Sequence, residues 1–495
     1  MSHINKTFLV SIGLAVVTCL CAQQNGDSVL SLTLKQAVEL ARQQSPEIVQ
    51  TRHTFRQSYW SYIYFKADYL PSLQFSSSPR FNHSIREIGL PDGTSQYVPQ
   101  NQLSTNANLF TSQNIALTGG NFTIQTGLQR LDELTAKSSF YNSTPVVIGF
   151  SQSLNGYNAL KWNKKIEPLK FEAAKRNYVE MLEVVSTNAT SMFFQLAKAQ
   201  TDLDIAQTNY NNADTRYTVA QGRYDIGTIT ESEMLQLEIG KLREENAQLT
   251  AGWSVDDCME NLRSYLGIKD AMPIKVVIEP DIPLNYIDPE KALNYALENN
   301  KHSLNMQRTR LQSESEVARA KASTGLQADL YMELGLGQTG ADIPAAYTNP
   351  TNMQYVTLGF RLPILDWGYR KGRVQVAKSQ LDLVLTQIEQ TQNNFEMNVS
   401  KSVKQFNFLS ERMNVVTKAD IIAERSHEVA RQLYLLEKYT IIELNTAITE
   451  KDTAKRNYIQ SLYDYWNLYY TLRSITLFDF EKNIPITEDY EYLIK

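Results

Sequence analysis

The residues able to do chemistry form few patterns. Two carboxylates occupy matching settings, Glu233 after Thr230 and Glu443 after Thr440, each at the start of a helix. There the positive end of the helix dipole favours a carboxylate, so solvated structural roles explain both without any reaction. The histidines His3, His53, His83, His302 and His427 have no metal-ligand spacing, and Gly119-Gly120 reads as a turn, not a phosphate loop. Beyond the N-terminal segment Cys258 is the only cysteine, which excludes an intramolecular disulfide framework and a cysteine metal site. Acidic residues scatter over helix faces and no nucleophile stands in a catalytic constellation. The sequence points to a protein that is not an enzyme and takes no cofactor or metal.

The two carboxylates are positioned by long helices. From Ala189 to Tyr224 every seventh residue repeats a type: Ala189, Leu196, Leu203, Tyr210, Tyr217, Tyr224. A second line, Met192, Ala199, Ala206, Ala213, Ala220, is offset by three, which places both on one coiled-coil seam. The tyrosines at 210, 217 and 224 read as seam packing. Helical periodicity holds from about 157 to 225, interrupted near Pro168, and a helix of ~70 residues is ~100 Å long. It breaks at Asp225-Ile226-Gly227-Thr228. Glu231 opens a return helix carrying Leu235, Leu242 and Leu249 to Leu266-Gly267. A second long helix, Arg373 to Lys438, has the seam Leu381, Ile388, Phe395, Ser402, Leu409, Val416, Ala423, Ala430. It turns near Tyr439-Thr440 and returns with Ala447, Ala454, Ser461 and Leu468. On this pattern alone the chain is a periplasmic or surface coiled-coil scaffold that transports nothing.

Other stretches argue against a bare stalk. Net charge is −5 over 495 residues, which disfavours nucleic acid as a partner. Charged residues make up 20% and mean hydropathy is −0.35, so this is not a polytopic helical membrane protein. Residues 1–22 read as a secretory signal, with Lys6 before the apolar run Phe8 to Leu20, and cleavage near Cys21 or Ala22. Lipidation at Cys19 or Cys21 competes with that reading. Residues 72–155 lose charge, gain Ser, Thr, Asn and Gly, and alternate with period two around a hairpin turn at Gly119-Gly120, with 81–103 read as loop.

The order of elements is duplicated. Pro289 to Asn300 matches Leu34 to Ser45, with Ala292 and Ala296 on Ala37 and Ala41, while Thr440, Glu443 and Leu444 match Thr230, Glu233 and Met234. The first repeat spans 23–267: helices over 34–68, strands over 72–155, a long helical hairpin over 157–267. A linker, 268–289, holds a strand-like run at Ile274 to Ile278 among prolines. The second repeat spans 290–477: helices over 290–323, strands over 326–364, a hairpin over 370–477. A tail follows over 478–495. One chain offers about four long strands, too few to close a barrel where small ones start at ~8 strands, so oligomerisation is the natural remedy.

In this order, twice over, the chain resembles the TolC-type outer membrane efflux proteins. The resemblance rests on the duplicated helix after the signal, the exit Tyr69-Leu70-Pro71 into strand, the exit from strand over 363–368, and the two helix turns near 227 and 440. It implies an α+β membrane protein: a homotrimer giving four strands per protomer to a twelve-stranded β-barrel in outer-membrane lipid, continued by a long α-helical coiled-coil barrel in the periplasm of a Gram-negative cell. It implies an exit duct for efflux or type I secretion, fed by an inner-membrane RND or ABC pump through a periplasmic adaptor. Gly227, Thr228, Ile229, Thr230, Ser232, Glu233, Tyr439, Thr440 and Ile441 would dock the adaptor. Glu443, Tyr434 and Glu233 would form the periplasmic gate, where a threefold ring of Glu443 favours cations. Three departures from the family pattern are Glu437 in place of a glycine, Thr446 in place of a second acidic residue, and Tyr439 in place of a latch arginine.

Overall fold

A computed structural model describes residues 29–494, apart from 271, 280, 281, 283–285 and 437. The signal segment 1–22 with Cys19 and Cys21, the linker prolines Pro280 and Pro283, and Glu437 lie outside the described residues. The elements in chain order are β1 (Leu30–Thr33), α1 (Leu34–Gln44), α2 (Pro46–Ala67), β2 (Ser72–Ser77), β3 (Arg80–Gly89), β4 (Ser95–Ile115), β5 (Gly120–Glu133), β6 (Ser138–Ser153), α3 (Ala159–Asp225), α4 (Glu231–Leu266), β7 (Ile274–Val277), α5 (Pro289–Asn299), α6 (Lys301–Thr324), β8 (Gln327–Gly340), α7 (Ile343–Tyr347), β9 (Thr351–Arg361), α8 (Tyr369–Leu435), α9 (Ile441–Thr476), β10 (Phe478–Asp479), β11 (Ile484–Pro485) and α10 (Glu491–Ile494).

The duplication is regular in the helices. The long helices α3 and α8 each have 67 residues and their return helices α4 and α9 each have 36, all offset by 210. The short helices α1 and α5 are offset by 255, so 45 more residues lie between short and long helix in the first repeat. Packing divides the chain into two compact units, and each draws segments from both repeats.

The first unit takes residues up to 53, 178–300 and 397–488. Thr33 caps α1 by accepting from the Gln36 N–H while the Gln36 side chain accepts from the Thr33 N–H. Leu34, Ala37, Val38 and Ala41 then share the buried face of α1, and their counterparts Ala292 and Ala296 are buried on α5. All of these but Ala296 join Val185, Phe193 and Leu196 of α3, Leu262 and Leu266 of α4, Phe406 of α8, and Leu462, Tyr465 and Leu472 of α9 in one core. The strand-like run in the linker is β7, which pairs in parallel with β1. The alanine line of α3 is buried at Ala199, Ala206, Ala213 and Ala220. Asp214 of α3 bridges to Lys241 of α4 at 2.7 Å and Asp202 to Arg456 of α9 at 2.7 Å, so α3 has a helix on either side. Pro168 removes one backbone donor but α3 runs through it unbroken.

The second unit takes residues 54–177, 301–396 and 489–495. Its antiparallel sheet corrects the expectation of four strands. Seven strands occupy six positions in the order β2, β4, β5, β6, β8, β9, and β3 continues the β2 edge by pairing with the other end of β4. The stretch 81–103, expected as loop, is most of β3 and the start of β4. Its breakers misled because they sit where strands tolerate them. Pro91 and Asp92-Gly93 make the turn, with Gly93 at φ +82°. Pro99 lies where β4 pairs only with β3, since pairing with β5 begins at Gln102, so no neighbour on that side asks for its missing N–H. The 45 additional residues therefore build one more up-and-down hairpin in the first repeat. In the β8–β9 connection Asp342 caps the short α7, and Ala346 is buried with its carbonyl accepting from the Ser143 hydroxyl.

Candidate functional site

The two helix turns are built alike. At the first, Thr228 N–H donates to Arg223 O at 2.9 Å and Gly227 N–H to Tyr224 O at 2.8 Å. This pair of bonds ends a helix when the intervening residue is left-handed, and Gly227 is at φ +75°. At the second, Lys438 N–H donates to Leu433 O at 2.9 Å, the counterpart of the Thr228 bond 210 residues on. Glu437 falls on Gly227 in that register and lies outside the described residues.

Each return helix then opens with a reciprocal cap. Thr230 Oγ1 accepts from Glu233 N–H at 3.3 Å, while Glu233 Oε2 accepts from Thr230 N–H at 2.9 Å and from its hydroxyl at 3.0 Å. Thr440 and Glu443 repeat it at 3.4, 2.7 and 3.0 Å. The backbone N–H of the capping threonine, and then its hydroxyl, hold each carboxyl below the usual glutamate range. Both glutamates are exposed and stay ionised while they cap. The sequence supplied the helix-start position. The reciprocal bond, which explains why glutamate stands at both positions, is a finding of the structure.

The remaining turn residues divide. Tyr439 and Glu443 line one groove of about 490 Å3 between α8 and α9, together with Ile422, Val429, Ile442 and Thr446. The expected gate residues Tyr434 and Glu233 do not line it. Tyr434 is exposed near the end of α8. Gly227, Thr228 and Ser232 are exposed and Ile229 is half-buried at the first turn, where the Thr228 hydroxyl donates to Arg223 O at 2.9 Å. Ile441 begins α9.

Sequence reading missed a charged cluster in the same unit. Glu183 of α3 is fully buried and accepts from Arg42 Nη2 at 2.6 Å and from Arg473 Nε and Nη2 at 2.8 and 3.1 Å. Arg473 Nη1 also donates to Asp479 Oδ2 at 2.6 Å and to the Tyr469 hydroxyl at 3.2 Å. Burial works against the Arg473 charge, but Glu183 and Tyr469 outweigh it and raise its pKa. Burial likewise pushes the Asp479 carboxyl up, and the Lys482 N–H and the Arg473 charge bring it below its ordinary value. One signal was available: both return helices carry an arginine four residues before their C-cap, Arg263 before Gly267 and Arg473 before Leu477. Among the described residues no group of three or more His, Cys, Asp or Glu could hold a metal ion.

No family model and no curated protein matches the chain. Solved structures do. The outer membrane channel CmeC of Campylobacter jejuni superposes with a TM-score of 0.65 at 14% identity, covering 93% of this chain and 88% of that one. The outer membrane protein VceC of Vibrio cholerae gives 0.60 at 13% identity, covering 90% and 95%. The open-state MtrE outer membrane channel of Neisseria gonorrhoeae gives 0.58 at 12% identity, covering 95% of both chains. The likeness runs nearly end to end, and the chain has the fold of these outer membrane channels.

Proposed function

We propose that this chain is the outer-membrane exit duct of a tripartite efflux or type I secretion system in a Gram-negative envelope. As a homotrimer it passes substrates passively from an inner-membrane RND or ABC pump, through a periplasmic adaptor, to the exterior. The observation that carries this reading is the sheet. Following the strand pairings, one face gathers Leu73, Phe75, Leu109, Ile124, Ile148, Leu334, Leu358 and Phe360, all exposed. The opposite face mixes Gln74, Asn108, Ser112, Thr123, Gln125, Glu333 and Thr357 with Phe110, Val147, Tyr331, Met353 and Tyr355. A water-soluble sheet hides its apolar face in a core. This one leaves it exposed and carries its polar residues mainly on the other side, which suits a barrel wall between lipid and a wet lumen. No described helix is long and apolar enough to cross a membrane.

On this reading the turns at 227–233 and 439–441 meet the adaptor, and Glu443, with Tyr434 and Glu233, closes the periplasmic end. Planar-bilayer recording tests the whole reading. The purified protein is expected to give discrete conductance steps. A protein that inserts into no bilayer and carries no current is a coiled-coil scaffold instead.

A further inference from the structure

The sheet of the second unit ends in two open edges, one formed by β2 and β3, the other by β9. All six residues of β2 and all eleven of β9 are exposed. Each edge also carries the apolar face, through Leu73 and Phe75 on one side and Leu358 and Phe360 on the other. An edge at the depth of such a face would leave its N–H and C=O groups unpaired in hydrocarbon, at several kcal/mol per group. The occupant must therefore supply a strand of matching direction with the same alternation. Six antiparallel positions make β2 and β9 run in opposite senses, so β9 of one copy can continue antiparallel into β2 of the next, apolar face to apolar face. A second copy of this chain meets both requirements, and a head-to-tail contact of this kind closes into a ring.

The additional hairpin cannot be set aside from that wall. β4 pairs with β2 on one side and with β5 on the other, and β5 pairs with β6 along its length. Its inner turn is fastened as well: Asn158 Nδ2 donates to Ala116 O at 3.0 Å and to Leu117 O at 3.2 Å, and Gln152 Nε2 donates to Thr118 O at 2.9 Å. Removing β4 and β5 would separate β2 from β6 and break the sheet.

Resting on the reading of the chain as a trimeric outer-membrane duct, we propose that three copies pair β9 to β2 and close a barrel of eighteen strands, six from each copy. With strands ~4.8 Å apart and tilted ~40°, its backbone radius is about 18 Å, against about 12 Å for twelve strands. A barrel of this count leaves an open aqueous channel, lined here by Gln74, Asn108, Ser112, Thr123 and Gln125 with Phe110, Tyr331 and Tyr355 among them. The membrane section then sets no fit to a small solute, and selection by size belongs to the helical unit.

The test is the distance between copies. A spin label at Gln125→Cys, in a Cys258→Ser background, reports the separation of equivalent wall positions in the detergent-solubilised trimer. Backbone separations of about 31 Å are expected for eighteen strands, and about 21 Å would overturn the proposal in favour of twelve. Native mass spectrometry precedes the distance measurement: a species that is not a trimer overturns the duct reading itself, before strand number is addressed. Images of the unsubstituted trimer in lipid nanodiscs, viewed down its axis, count the strands directly. Eighteen supports the closure described and any other number rejects it.

Discussion

At the scale of single residues, one carboxylate does two jobs that pull in the same direction. Glu443 is held ionised by the Thr440 N–H and hydroxyl, because those donors bond only the charged form well. If three copies bring Glu443 to a shared constriction, the channel favours cations, and Glu443→Ala is expected to weaken that preference in reversal-potential measurements. Within each chain the cap should also persist as pH falls through the ordinary glutamate range. A depressed folded pKa keeps the charge, and the cap it stabilises, until pH drops through the depressed value. Selectivity that is unaltered by Glu443→Ala would remove Glu443 from the gate. The buried Glu183 makes the opposite kind of demand. It balances Arg42 and Arg473, and removing it leaves the largely buried Arg473 guanidinium with Asp479 and Tyr469 but without two of its bonds. Glu183→Ala is expected to lower stability by about 3 to 5 kcal/mol, read as a fall in the melting temperature of the helical unit, whereas a change at the exposed Glu428–Arg431 pair should be nearly silent.

At the scale of elements, the helices were legible and the strands were only partly so. A seven-residue repeat running unbroken from Ala189 to Tyr224 has few structural solutions, and the structure buries its alanine line as the spacing requires. The short helix at Pro289 could be matched to that at Leu34 because small buried residues recur at the same spacing. In β3 and β4 the signal failed for a physical reason. An exposed two-strand ribbon needs no strict apolar alternation, and its proline sits where no hydrogen bond is missed, so Arg80 to Gln102 reads as polar and interrupted. The turns were located correctly, yet the bonds that make them were not visible, since a Thr–Glu spacing of three does not by itself declare which atoms meet. The duplicated helix ends give a contrast that can be measured. Gly267 and Leu477 are equivalent C-caps, both left-handed, at φ +69° and +48°. A Cβ on Gly267 would lie 2.9 Å from the Gln44 carbonyl oxygen. Gly267→Ala should therefore cost more than the ~1 kcal/mol of left-handed strain alone, about 2 kcal/mol in thermal denaturation. Gly227→Ala, whose Cβ would meet nothing within 4 Å, should cost only the strain. Equal losses at the two sites would show that the contact with Gln44 is relieved by a small shift.

At the scale of the whole molecule, the first unit carries a feature that a lone chain cannot justify. Along α8, Phe408, Val415, Ile422 and Val429 recur every seventh residue, and Val415 is 67% exposed. Along α4, Leu235, Leu242 and Leu249 do the same. Such lines match the seams that bury Ala199 to Ala220 on α3, yet among the described residues they stay exposed. A stripe on this repeat is a coiled-coil surface awaiting a neighbour, and two of them on one chain allow each copy to give one and receive the other around a ring. A carboxylate placed in either seam would be buried without a partner, at several kcal/mol for each contact in the assembly. If the protein is the trimer proposed, Leu242→Glu on α4 and Val415→Glu on α8 are each expected to shift it toward monomer in native mass spectrometry. The secondary structure should stay intact, because both side chains are exposed within the chain and support no core of its own. The two substitutions separate assembly from folding: loss of helix content with loss of the trimer would mean that these stripes hold the chain itself together, and trimers that survive both would mean that the contact between copies lies elsewhere, with the strand edges alone left to make it.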